Sequence, residues 1–247
     1  MKGIPLMSEL QKNKVNQKNR SGKMPPWVRL LVLAAIVALT VVALIIFKAK
    51  AYAFVSLVVA IAACVPFIYS FEKGKIGTRR LVMLAVMTAL SVGGRLLFVY
   101  FSHFKPVAAI VVITGMYLGA QSGFICGAFS ALLSGFYFGM GAFLPFQMLA
   151  WGLIGLFAAL LSKALKKHIL LLVLYAVLSG IFFSAVMDVW SVLWMDGGFN
   201  LSRYLATMLT ALPITLTYAV SNAVFLAVLA RPIGKKLERV LIKYGDA

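Results

Sequence analysis

The chain alternates between long apolar runs and short polar or basic segments. Eight runs are apolar enough to predict helices, and they cover residues 29–47, 51–70, 80–101, 106–120, 123–140, 143–164, 169–194 and 203–230. A membrane-spanning helix needs about 20 mostly apolar residues, whereas the strands of an outer-membrane barrel alternate apolar and polar residues. The pattern therefore predicts an all-α polytopic membrane protein with about eight transmembrane helices.

These runs divide into two units. Residues 1–26 form a polar, basic tail, and residues 27–72 form an N-terminal hairpin of two apolar helices. The first apolar run is longer than the roughly 7–15-residue core of a signal peptide, so we expect it to be retained. Residues 73–231 follow as a six-helix membrane core that holds most of the polar and small residues, and residues 232–247 form a basic C-terminal tail.

The distribution of charged residues predicts how the chain is oriented in the membrane. Hydrophobic residues make up 63% of the 247 positions, and 24 Lys and Arg stand against 6 Asp and Glu, for a net charge of +18. On a soluble protein this excess would indicate nucleic-acid binding, but here the cations lie between apolar runs, where they mark cytoplasmic loops. With both termini inside, nineteen positive residues are cytoplasmic and four are outside. We expect a multi-pass protein of the plasma membrane with both termini cytoplasmic, in contact with lipid and not with nucleic acid.

Catalytic signatures are missing from the sequence. It contains no P-loop, HExxH or GxSxG motif. Cys64 and Cys126 lie in apolar runs without neighbouring His or acidic residues, which indicates two small buried side chains and neither a zinc site nor a disulfide. The sequence therefore predicts no enzyme, no catalytic residue, no metal and no cofactor.

Two ionisable residues, Arg95 and Asp188, lie within the core runs. A charge inside the membrane is costly and is usually paired or faces a polar cavity. Arg95 lies roughly 20 Å from the cytoplasmic end of its helix, at about 1.5 Å per residue, and Asp188 is similarly deep toward the outer side. Two alternatives stay open: a mutual ion pair that fixes the bundle, or the polar wall of a binding cavity.

Small residues recur at every fourth position of the fifth run. They are Gly123, Gly127, Ala131, Gly135 and Gly139. Such a ridge lets another helix approach closely in lipid. It indicates either packing inside the bundle or a seam for a partner.

The six-helix core resembles the S components of energy-coupling factor (ECF) transporters, which are the substrate-binding subunits of vitamin ABC importers. The residues that carry the resemblance are Ala85-xxx-Ala89, the stretch from Phe104-Lys105-Pro106-Val107 to Thr114-Gly115, and Leu144–Met148 with Ala150-Trp151-Gly152. The N-terminal hairpin departs from the six-helix pattern of that family.

This resemblance implies that different subunits bind the substrate and supply the energy for transport. The chain would capture a vitamin from outside, and a transmembrane coupling subunit with two cytoplasmic ATPases would drive its delivery inward. Ala85 and Ala89 would dock on the coupling subunit. The implied substrate-binding residues are Phe101, Lys105, Met140, Gln147, Trp151, Asp188, Trp194, Asn200 and Tyr204. Aromatic rings would stack on a flat ligand, and the amides of Gln147 and Asn200 would bond its polar groups.

The outer loops favour cobalamin as the vitamin. They are aromatic and glycine-rich, and they lack the acid-bearing first loop associated with riboflavin-type members. Lys105, Arg203 and Asp196 are the charged groups of these loops, which indicates no strong selection for a polyanion.

Three other functions remain open. A self-sufficient channel or facilitator for small solutes would transport without a partner. A structural subunit would use the glycine ridge for assembly and bind no ligand. An intramembrane enzyme would need Asp188 or His103 for turnover, although His103 at the membrane interface is more readily explained as a bystander.

Overall fold

The computed structural model describes residues 78–243, and these residues fold into helices joined by short connections. The helices are α1 (Thr78–Leu97), α2 (Val107–Leu118), α3 (Ala120–Phe138), α4 (Leu144–Leu160), α5 (Ser162–Lys167), α6 (Ile169–Asp196), α7 (Leu201–Thr210) and α8 (Leu212–Lys243). By length and composition, α1, α6 and α8 can each cross a membrane, and α2 and α4 are shorter apolar helices. For these residues the prediction of an all-α membrane protein is confirmed.

Part of the predicted organisation lies outside the described residues. This applies to the basic tail 1–26, to the N-terminal hairpin 27–72 and to Cys64 within it. These assignments stay predictions.

Two predicted runs divide into two helices each. The run 143–164 breaks at Leu161 into α4 and α5, and the run 203–230 breaks at Ala211 into α7 and α8. The second break precedes Pro213, which lacks an N–H and is tolerated in the first turn of a new helix. Beyond that break, α8 continues through Pro232 to Lys243, so the segment predicted as a C-terminal tail is largely helical.

Helix α2 lies at the centre of the bundle. All of its residues except Tyr117 are buried, and α1, α3, α4 and α8 all contact it. Its 12 residues correspond to about 18 Å of helix, well short of the roughly 30 Å hydrocarbon core. A central helix of this length leaves space inside one end of the bundle.

The glycine ridge of α3 packs against α4. A Cβ added to Gly123 would lie 2.5 Å from the Gly155 carbonyl oxygen, and one added to Gly127 would lie 2.7 Å from the Gly152 amide nitrogen. Ala131 on the same ridge is fully buried. Of the two alternatives for this ridge, the structure shows internal packing along these residues.

Basic side chains connect the C-terminal end of α2 to neighbouring helices. The Arg80 guanidinium donates a hydrogen bond to the Leu118 carbonyl, where a cation also complements the negative end of the helix dipole. The Lys166 ammonium lies 4.0 Å from the Tyr117 ring centroid and 4.0 Å from a carboxylate oxygen of Glu238. These contacts connect α1, α2, α5 and α8.

We expect Gly155→Ala to destabilise the protein. The added methyl group would lie 2.5 Å from the carbonyl carbon of Gly123, so the helices must separate, at a cost of about 1–3 kcal/mol typical of overpacking. Thermal unfolding of the full chain in detergent measures the effect. The matched control is Gly93→Ala, because nothing lies within 4 Å of a Cβ at that position. Equal unfolding temperatures for the two variants would contradict this packing.

Candidate functional site: a cavity at the end of the bundle

A cavity of about 150 Å³ lies where α1 ends and where α2 and α4 begin. Its lining residues are Arg95, His103, Lys105, Val107, Ala108, Gln147, Trp151, Phe183, Tyr218 and Asn222. They come from α1, α2, α4, α6, α8 and the loop 98–106. A concave site with apolar walls and a few convergent polar groups is typical of small-molecule binding.

Three aromatic rings form one wall of the cavity. The Trp151 and Phe183 rings are stacked, with centroids 5.4 Å apart and planes at 15°. Phe183 in turn meets Tyr218 edge to face, with a centroid distance of 5.0 Å. Such a wall can pack against a flat ring of a ligand.

Two cations share one aromatic ring beside the cavity. The guanidinium carbon of Arg95 and the Nζ atom of Lys105 each lie 4.4 Å from the centroid of Phe138. Arg95 also lies 4.9 Å from the Trp151 centroid and donates a hydrogen bond to the Ser134 hydroxyl. These cation–π contacts hold both charges at the cavity.

The loop 98–106 is attached to α8 at two points. The Nδ1 atom of His103 lies 2.9 Å from the Tyr218 hydroxyl. The backbone N–H of Lys105 donates to the Ser221 hydroxyl at 2.9 Å, and that hydroxyl donates to the Lys105 carbonyl at 3.2 Å. Because His103 also has a left-handed backbone (φ 60°), the loop turns sharply there and presents Lys105 to the cavity.

Burial and neighbouring positive charge shift the pKa values of two side chains in the loop 98–106. Burial lowers the pKa of Lys105 below its ordinary value, and the Arg95 guanidinium lowers it further. Burial likewise lowers the pKa of His103, and Lys105 adds to that shift. Both directions follow from desolvation of a cation near another cation.

Three of the nine predicted substrate-binding residues line the cavity: Lys105, Gln147 and Trp151. The structure brings them together from the loop 98–106 and from successive turns of α4. Gln147 and Trp151 are both buried.

The other six predicted residues lie elsewhere. Phe101, Met140 and Trp194 are exposed on the surface. Asn200 precedes α7 and caps it by accepting the Arg203 N–H at 3.2 Å, and Tyr204 on α7 donates to the Ala185 carbonyl at 3.4 Å. Asp188 is buried on α6 but does not line the cavity. For these six residues substrate binding stays a prediction.

Arg95 and Asp188 do not form an ion pair with each other within residues 78–243. The ion pairs there are Lys166–Glu238 and Arg203–Asp196. Arg95 instead lines the cavity, which favours the second of the two alternatives drawn from the sequence, although only for Arg95.

Sequence reasoning missed Phe183, Tyr218 and Asn222. Tyr218 and Asn222 are polar residues four apart in an apolar run, a spacing that places both on one helix face and could have indicated them. Asn222 also donates to the Ser179 hydroxyl at 3.0 Å and so connects α8 to α6. Phe183 is one of many apolar residues in α6, and nothing in the sequence separates it from them.

A second concave surface lies between α1 and α3 on the outside of the bundle. This α1–α3 groove has a volume of about 670 Å³ and is lined by Leu81, Leu84, Ala85, Thr88, Ala89, Val92, Gly93, Leu96, Ile125, Phe129 and Leu133. Ala85 and Ala89 are exposed there. The groove is almost wholly apolar, as a surface in contact with lipid or another transmembrane helix should be.

Comparison with known proteins identifies the family. The model of the family described as ECF-type riboflavin transporter, S component, matches residues 75–239 of the chain. Searches of the curated proteins and of the solved structures found no match. The predicted resemblance to S components is confirmed, whereas the cobalamin subgroup has no support from the match. Because the match covers more than half of the chain, the chain belongs to the family of S components of ECF-type riboflavin transporters.

Proposed function

We propose that the chain captures a vitamin in the cavity and passes it inward as the substrate-binding subunit of an ECF-type importer. The observation that carries this proposal is the convergence of an aromatic wall with six polar or charged groups from α1, the loop 98–106, α4 and α8: Arg95, His103, Lys105, Gln147, Tyr218 and Asn222. Such a set can enclose a ring and bond its polar edges. A purely structural subunit would have no need of it.

The size of the cavity favours a compact vitamin. Its volume of about 150 Å³ is below the roughly 300–1,000 Å³ of pockets for drug-sized ligands. Cobalamin, with its corrin macrocycle and amide side chains, is much larger, so its binding would require a wide opening of the lining helices. Riboflavin, which appears in the description of the family, is the first flat and smaller vitamin to test. Cobalamin stays a prediction that the cavity volume counts against.

Delivery would depend on partners. We propose that the coupling subunit and two ATPases supply the energy, and that Ala85 and Ala89 in the α1–α3 groove are the docking point. The exposure of two small side chains in an apolar groove supports this, because a helix of the partner could approach α1 closely there. The excess of cations at the opposite end of the bundle from the cavity supports an outward-facing cavity.

We expect a vitamin that enters the cavity to change the fluorescence of Trp151. Purified full-length protein in detergent is titrated with water-soluble vitamins including riboflavin and cobalamin, with ligand absorption corrected. Saturable quenching should appear in the wild type and in Trp194→Phe, whose altered side chain is exposed. It should be mostly lost in Trp151→Phe, which keeps a ring against Phe183. Equal quenching in both variants would place the ligand elsewhere.

We expect the double variant Ala85→Leu with Ala89→Leu to lose its partners and keep its ligand. Two leucine side chains would fill the groove and prevent close helix contact. Co-purification with co-expressed coupling subunit and ATPases should fall at least about tenfold, the equivalent of roughly 1.4 kcal/mol, while vitamin binding is unchanged. The matched control is Ala227→Leu, an exposed alanine on α8. Normal assembly of the double variant would contradict docking through this groove.

A channel or facilitator would transport solute without partner subunits, whereas the proposed importer subunit would not. In proteoliposomes that contain only this protein, the importer function predicts binding without accumulation of vitamin. Release or uptake of solute down its gradient, at rates above those of empty liposomes, would favour a channel or facilitator instead.

A further inference from the structure

The cavity lining that the structure describes carries positive charge. Lys105 and Arg95 line it, and among the described residues of its lining there is no carboxylate. The other polar lining groups are an imidazole, two amides and a phenol. Because desolvated charge is costly unless it is paired, two cations held at one small cavity favour a negatively charged occupant.

None of the acidic residues of the described chain lines the cavity, although Asp188 lies near enough to Tyr218 for an electrostatic interaction. Asp196 pairs with Arg203 at 2.6 Å, and Glu238 lies 4.0 Å from Lys166. Asp188, the remaining acid within residues 78–243, forms no ion pair with Arg95 and does not line the cavity. The positive charge of the cavity is therefore not neutralised by an ion pair within this part of the chain.

The start of α2 adds to the positive electrostatic potential in the cavity. Val107 and Ala108, the first two residues of this helix, line the cavity. The preceding residue, Pro106, offers no side-chain hydrogen bond to the helix. The unpaired N–H groups and dipole of a helix N-terminus favour an anion. Positive potential thus reaches the cavity from α1, from the loop 98–106 and from α2.

We propose that the ligand carries an anionic group, a carboxylate or a phosphate, that binds between Arg95 and Lys105 at the start of α2. The apolar part of the ligand then packs against Trp151 and the rings beside it. A single such group suffices, which agrees with the prediction from the outer-loop sequence of no strong selection for a polyanion. This inference rests on the proposed function, because it assumes that the cavity holds the vitamin.

Matched pairs of compounds test the charge directly. Equilibrium binding to the full chain in detergent is measured for nicotinate against nicotinamide, for pantothenate against panthenol, and for riboflavin 5′-phosphate against riboflavin. In at least one pair the anionic member should bind about 10- to 100-fold more tightly, as a charged hydrogen bond allows. The pair that responds distinguishes a carboxylate from a phosphate.

Variants then assign the preference to the two cations. Lys105→Gln should reduce the preference for the anion at least about tenfold. Arg95→Gln should do the same, and Arg95→Lys, which keeps the charge, should retain most of it and guards against a variant that fails to fold. The control is Lys166→Gln, because Lys166 lies beside Tyr117 at the other end of α2.

The outcomes separate this inference from the proposed function. If a vitamin binds but its neutral form binds as tightly as its anionic form, the anion site is wrong and the vitamin-binding function stands. An anion preference that survives Lys105→Gln and Arg95→Gln also overturns the inference. If no compound of these pairs or of the wider vitamin panel binds to folded protein, both proposals are overturned.

Discussion

The burial of the short helix α2 is the constraint on which the rest of the structure depends. A helix of about 18 Å cannot span the membrane by itself, yet nearly all of its side chains are buried by α1, α3, α4 and α8. Longer neighbours must therefore enclose it, and they leave space beyond its first residue. The cavity forms in that space, and the positive end of the helix points toward it.

Close packing and local attachment keep this arrangement in place. Glycines allow the backbones of α3 and α4 to come into direct contact. In lipid, the van der Waals packing of such contacts takes the place of the hydrophobic driving force that is available in water. At the cavity end, Ser221 and Tyr218 of α8 bind the loop 98–106 through its backbone at Lys105 and its side chain at His103. The same loop thus closes the bundle and carries one of the two cations of the cavity.

Apolar runs predicted the helical membrane fold, because run length and hydropathy are local properties of the sequence. They did not predict the breaks at Leu161 and Ala211, because the hydropathy of a whole run gives little weight to Ser162-Lys163 and Pro213, which follow these breaks within two residues. For the site, the motif around Gln147 and Trp151 was sufficient to indicate two lining residues. Phe183 reaches the cavity through the packing of α6 on α4 and α8, which sequence spacing does not encode. Outer aromatics such as Trp194 were named from their position near a loop, and the structure exposes that side chain.

A ligand-bound structure of the full chain is the most direct test of the central claim that the cavity holds the substrate. Cryo-electron microscopy of the protein in complex with the tightest-binding vitamin would locate the ligand. We expect its density against Trp151 and within contact distance of Arg95 and Lys105. Density in the α1–α3 groove or on the surface at Phe101 and Met140, with the cavity unfilled, would contradict the account.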